Sequence, residues 1–174
     1  METERIKLSP PSMELVSKVH DAIKESENNF SVYLPWVPSA LSHPEENMKE
    51  AIKNYESFNG ELRFFIIEKS TDDLLGAIGL IIRDKTVPFF EIGYWLRDSK
   101  AGKGFVSEAL KVLEHYAFQE LGAKRVEIRA AECNKKSRAV AGRNGYQLEA
   151  IFINERRLPS GELSNTVVYG KTGL

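Results

Sequence analysis

The stretch Phe89–Leu113, FFEIGYWLRDSKAGKGFVSEALKVL, decides the fold. Its first eight residues, Phe89 to Leu96, are rich in aromatic and β-branched side chains, with Pro88 before them and Asp98 soon after, and they read as a strand. Beyond a short turn, Val106, Ala109, Leu110, Leu113 and Ala117 recur at helical spacing while Glu108, Lys111 and Glu114 face outward, which predicts an amphipathic helix. Between strand and helix, Lys100-Ala101-Gly102-Lys103-Gly104 lets the backbone come close to a ligand, because glycine has no Cβ in the way. The unpaired N–H groups of the first helical turn point into the same space with the positive end of the helix dipole, a place suited to phosphate. Two glycines are also compatible with a plain tight turn. Two other phosphate loops are excluded. A P-loop needs Lys and then Ser or Thr after its last glycine, where this chain has Phe105. A dinucleotide fingerprint needs a third glycine where this chain has Ser107.

Working outward, Arg5 to Leu8 alternates polar and apolar and reads as a first strand ended by Pro10-Pro11. From Ser12, a plausible cap, Leu15, Val16, Val19 and Ile23 predict a helix. The loop Tyr33-Leu34-Pro35-Trp36-Val37-Pro38 carries two prolines that exclude regular helix. Its aromatic pair suits core packing or a rigid wall for a ligand. After Pro44, Met48, Ala51, Ile52 and Tyr55 share one helical face, closed by Asn59-Gly60. Phe64 to Glu68 and Leu75 to Ile82 form a hairpin, and with Phe89 to Leu96 they make an antiparallel meander. Leu121-Gly122 ends the central helix. Arg125 to Ala131 is then a strand expected to lie parallel to Phe89–Leu96, since a helix separates the two. A short helix from Asn134 to Asn144 ends at Gly145, and strands at Tyr146 to Ile153 and Thr166 to Gly170 close the chain. The expected class is α+β: a mixed, mostly antiparallel sheet of about six to seven strands with helices on both faces, in a single domain over 1–174.

The 174 residues, 42% hydrophobic and 28% charged, suffice for one core. A formal net charge of -1 gives no general attraction to nucleic acid or to an anionic membrane surface. Residues 1–87 hold ten Lys and Arg against fifteen Asp and Glu, whereas the remainder holds fourteen against ten, so the glycine turn lies in the basic half. No apolar run is long enough for a membrane span and METERIKL lacks a signal-peptide core, so a cytoplasmic protein is expected. Cys133 is the single cysteine and reads as a small buried hydrophobe. His20, His43 and His115 are too scattered for a zinc site, and no metal is expected.

Taken together, Glu91-Ile92-Gly93-Tyr94-Trp95-Leu96, Gly102-Lys103-Gly104-Phe105, Ser107-Glu108-Ala109, Asn134-x-x-Ser137 and Gly145-Tyr146 resemble the GNAT-superfamily N-acetyltransferases. Within that superfamily they are similar to the RimJ/RimL-like branch, the ribosomal-protein alpha-amino acetyltransferases, and Leu34-Pro35-Trp36 resembles a loop of the same branch. The resemblance implies that acetyl-CoA lies where the two parallel strands splay apart. Its pantetheine arm would run beside Ile92, Gly93, Tyr94, Trp95 and Leu96, steadied by Asn134. Its pyrophosphate would rest on Ala101, Gly102, Lys103, Gly104, Phe105 and Val106. Two departures stand out. Ser99 occupies a position where the family usually has Gln or Arg, so the resemblance implies a phosphate contact that is either weaker or supplied by Lys100 or Lys103. Ala141 occupies the position of the superfamily's tyrosine acid, which leaves Ser137 as the RimL-like donor to the leaving thiolate.

Acetyl transfer needs a neutral amine, a stabilised oxyanion and a proton for the departing thiolate. An α-amine is roughly 10–15% neutral at pH 7 and a lysine only about 0.04%, so an α-amine needs just a modest base. Glu91 is the first candidate, with an exposed strand position as its alternative, and Glu68 is the reserve. A backbone N–H near Tyr94 or Trp95 would serve the oxyanion. Ser137 is either the thiolate's donor or only a helix cap. Tyr33 and Trp36, with Trp95, either shape the acceptor pocket or pack the core. The preferred function is an acetyl-CoA-dependent transfer to a primary amine, most plausibly the N-terminal amine of a ribosomal protein. A polyamine or aminoglycoside-like acceptor, or a non-catalytic acyl-CoA sensor, are the alternatives, and the sequence is compatible with a monomer and with a homodimer.

Overall fold

The computed structural model describes residues 1–173. Its strands are β1 (Ile6–Ser9), β2 (Glu61–Glu68), β3 (Leu74–Asp84), β4 (Phe89–Leu96), β5 (Arg125–Ala131), β6 (Gln147–Arg157) and β7 (Leu163–Thr172). They form one sheet in the order β1-β2-β3-β4-β5-β7-β6. Every neighbouring pair is antiparallel except β4 and β5. That exception follows from the connection, because a helix between two strands carries the chain back to its starting edge. The helices are α1 (Val16–Glu25), α2 (Glu27–Phe30), α3 (Val37–Ser42), α4 (Pro44–Glu56), α5 (Phe105–His115) and α6 (Lys135–Arg143).

The sheet is covered on both faces, and the alternation of β2 shows how. Phe64 and Ile66 face a core shared with Ala109, Leu110 and Leu113 of α5 and with Val140 and Ala141 of α6. Phe65 and Ile67 face the other way, onto Ala22 of α1 and Met48 of α4. Leu110 and Leu113 are wholly buried, each stabilising the fold by about 1.5–3 kcal/mol. Truncating Leu110 to alanine costs about 2–5 kcal/mol once the cavity is included.

Four expectations change. Pro38 does not exclude helix: it falls in the first turn of α3, where its missing N–H has no helical partner to lose. Cys133 is exposed rather than buried, because it lies in the turn between β5 and α6. The central helix stops being α-helical at His115 and continues through Tyr116–Glu120 as a π turn, closed by the Leu121 N–H on the Tyr116 carbonyl at 3.1 Å. Finally, β6 runs on to Arg157 through an irregularity between Phe152 and Arg156, where Asn154 takes φ of 52°. Among the described residues no helix is long and apolar enough to cross a membrane.

Candidate active site

Strands β4 and β5 pair only at Phe89–Arg125, Phe90–Val126 and Glu91–Glu127, and then diverge. β4 keeps β3 as a partner as far as Leu96, and β5 keeps β7 as far as Ala131. The facing edges of Ile92–Leu96 and Ile128–Ala131 are therefore left without a ladder. Backbone N–H and C=O groups on such an edge can pair with an extended ligand as an added strand would.

The glycine turn stands at the end of β4. Gly102 and Gly104 have φ of 77° and 83°, a left-handed conformation that costs other residues roughly 1–2 kcal/mol. Gly104 is the N-cap of α5 and contributes no side-chain bond, so the first N–H groups of the helix are left to an incoming ligand. Above Gly102 there is open space, with no atom within 4 Å of where a Cβ would stand. These features fit a diphosphate.

Two clamps hold the turn, and neither carried a sequence signal. Arg5 donates from Nη1 to the Lys103 carbonyl at 3.2 Å, lies 4.7 Å from the Phe105 ring centroid, and pairs with Glu108 through Nε at 2.8 Å. Glu25, at the end of α1, accepts the Ser99 N–H at 3.0 Å and Arg97 Nε at 2.9 Å. The Arg97 hydrogen bond is the main reason its carboxyl is lowered to about 2. Lys100, a candidate phosphate contact, is instead bonded to Glu68 at 2.6 Å and Asp73 at 3.1 Å. Glu68 is thereby an ion-pair partner whose carboxyl is lowered, chiefly by Lys100, which makes it a poor base. Lys103 is exposed and its ammonium has no hydrogen bond among the described residues.

On the α5–α6 face of β4, Tyr94 reaches Ser137. Its hydroxyl lies 2.9 Å from Ser137 Oγ and 3.1 Å from the Ser137 carbonyl. Burial pushes the Tyr94 phenol up to about 12, so it stays protonated. Asn134 is the N-cap of α6, accepting the Ser137 N–H at 3.1 Å. Capping is therefore not the role of Ser137, whose hydroxyl is left to pair with Tyr94. Asn144, at the far end of α6, donates to Ser107 Oγ at 3.1 Å and fixes α6 against the first turn of α5.

The opposite face of β4 carries Glu91 and Trp95. The Glu91 side chain is only 12% exposed and is paired with Arg83, whose Nε lies 2.9 Å away. Burial raises its pKa, and the Arg83 hydrogen bond only partly opposes that rise. Glu91 is thus not an idle carboxylate on an open strand. Trp95 packs edge-on to Phe30, with centroids 5.6 Å apart, and lies 6.3 Å from Trp36. Trp36 therefore reaches the site's wall. Tyr33 sits half-buried in the same loop, tied by its N–H to the Phe30 carbonyl at 3.0 Å, and makes no ring contact with Trp95. Among the described residues no cluster of three or more His, Cys, Asp or Glu could hold a metal ion.

Residues 5–147 match the model of the acetyltransferase (GNAT) domain. The chain is 31% identical over 165 residues to the ribosomal-protein-serine acetyltransferase of Escherichia coli K12, covering 88% of this chain and 91% of that one. It is similar in structure to the microcin C7 self-immunity acetyltransferase MccE, solved in complex with acetyl-CoA and AMP. That likeness has a TM-score of 0.89 and 26% identity over 98% of this chain and 94% of the other. The ribosomal L7/L12 alpha-N-protein acetyltransferase RimL, solved with coenzyme A, shares the fold at a TM-score of 0.88 and 20% identity, over 98% and 95% of the two chains.

Proposed function

This chain belongs to the GNAT acetyltransferase family, an acetyl-CoA-dependent class of enzyme, and on that premise we propose that it acetylates the N-terminal α-amine of a protein, a ribosomal protein foremost. The observation that carries the reading is the end of β4–β5 pairing at Glu91–Glu127, with Glu91 on one face of the opening and the Tyr94–Ser137 pair on the other. The likeness to the ribosomal-protein-serine enzyme supports the choice of acceptor.

Acetyl-CoA supplies the activated acyl group; the protein supplies position and proton transfer. The turn Ala101–Val106 and Lys103 bind the diphosphate, and the free edge of Ile92–Leu96 pairs with the extended arm, steadied by the amide of Asn134. Glu91 accepts the proton of the attacking amine on its own face. Its raised pKa makes it a stronger base than an ordinary surface carboxylate. On the opposite face Ser137 donates to the leaving thiolate, and Tyr94 holds the serine hydroxyl in line. A backbone N–H at Tyr94 or Trp95, freed by the splay, faces the developing oxyanion. Trp36 and Trp95 wall the acceptor's approach.

A small-molecule amine is the second reading, favoured by the likeness to a structure that holds AMP together with acetyl-CoA. Release of free thiol from acetyl-CoA, followed over a panel of Ser- and Ala-starting peptides, polyamines and aminoglycosides, separates the readings. Preference for peptides supports the first. Turnover confined to small amines replaces it with the second. Coenzyme binding without turnover on any acceptor makes the protein a sensor.

A further inference from the structure

Arg156 is half-buried although Ile151 to Glu155 and Arg157 are exposed. The cause is local. At the irregularity in β6, the Asn154 N–H donates to Asn165 Oδ1 at 2.9 Å, and the strand turns Arg156 back over the sheet. Its Nε then donates to Thr166 Oγ1 at 3.1 Å, a hydroxyl on a fully buried residue.

Strand register gives the location. Thr166 pairs with Ala131, which shares a face of β5 with Glu127 and Arg129, and Glu127 pairs in turn with Glu91. Arg156 therefore starts from β6 on the Glu91 face of the sheet and reaches over β7 to Thr166, level with Ala131 at the end of β5. Three carboxylates of this face are paired with other arginines, and Glu132, beyond the end of β5, accepts from Asn165 Nδ2 at 2.8 Å. Glu91 is paired with Arg83, Glu155 with Arg129, and Glu127 with Arg125 and Arg129. Arg156 itself forms no ion pair among the described residues. Burial pulls its pKa down, while the charges of Glu155 and Glu91 act the other way.

A guanidinium that is partly desolvated and has no salt bridge of its own is best satisfied by a planar bidentate anion. We propose that Arg156 is a specificity-determining residue that binds a carboxylate of the acceptor, so that peptides with an acidic side chain within the first few residues after the reacting amine are preferred. The inference rests on the reading of the Glu91 face as the acceptor's side.

The test uses hexapeptides that begin with serine and carry Glu or Gln at position two, three or four, assayed with the wild type, Arg156→Gln and Arg156→Lys. The wild type is expected to favour the Glu peptide of at least one pair by about tenfold in kcat/KM, the scale of one charge-assisted hydrogen bond. In Arg156→Gln the ratio falls toward one, with the loss on the KM of the acidic peptide, and Arg156→Lys keeps part of it. A wild type indifferent to all three pairs overturns the inference and leaves peptide acetylation standing, as does an Arg156→Gln loss equal for both members of a pair. No turnover with any peptide would sink the acceptor reading and the inference along with it.

Discussion

The Tyr94 hydroxyl lies 2.9 Å from Ser137 Oγ, joining the middle of β4 to the first turn of α6 across the opening between the parallel strands. Ala141, one turn further along α6, is buried in the core and brings no hydroxyl to the opening. Tyr94→Phe and Ser137→Ala should each lower kcat by about 10- to 100-fold with little change in coenzyme affinity. Because the two act as a unit, the double variant should lose hardly more than Ser137→Ala alone. Additive losses in a double-mutant cycle would mean that Tyr94 only packs.

Glu91 should govern the acid limb of the kcat profile. A buried carboxylate with a raised pKa works as a base only above that pKa, so activity rises as pH climbs through it. Arg83 opposes the rise, and Arg83→Ala should therefore move the limb to higher pH. Glu91→Gln should remove the limb and slow turnover about 100-fold. A limb that stays in place in both variants would remove Glu91 from the role.

Lys103 and Lys100, three positions apart, should behave differently. Lys103→Ala should weaken coenzyme A binding about 3- to 10-fold, an effect that shrinks with added salt. Lys100→Ala should instead lower the melting temperature, since Lys100 joins Glu68 to Asp73. Titration calorimetry and thermal melts distinguish the two, and a larger binding defect in Lys100→Ala would reverse the assignment.

The Glu25 clamp makes an acid-stability prediction. A carboxyl lowered to about 2 stabilises the fold above its unfolded pKa and loses that contribution as pH falls from about 5 to about 2. The side chain is 30% exposed, so solvent screening limits the effect to about 1 kcal/mol. Glu25→Gln should melt a few degrees below wild type at neutral pH and together with it near pH 2. An unchanged gap at acid pH would show that the loop is held by other contacts.

The strand–turn–helix of Phe89–Leu113 was legible because each level agreed: aromatic and β-branched residues in the strand, glycines in the turn and a 3.6-residue stripe in α5. The parallel β4–β5 pair followed from the helix between them. Long-range pairing was not legible. Arg5 reads as a polar residue opening an alternating first strand, yet it clamps the glycine turn about a hundred residues away. Lys100 and Lys103 look equivalent in sequence, and only the approach of Glu68 and Asp73 separates them. Arg156 is hidden for a similar reason. A positive φ at Asn154 turns it inward, and nothing in the run Asn154-Glu155-Arg156-Arg157 marks one arginine from the other.

A crystal structure of the coenzyme A complex would show whether the coenzyme lies in the opening between β4 and β5 with its diphosphate on the head of α5. That placement requires diphosphate oxygens within hydrogen-bond distance of the N–H groups of Gly102–Val106 and a sulfur near Tyr94 and Ser137. A diphosphate bound elsewhere, or an arm running outside the splayed strands, would contradict it.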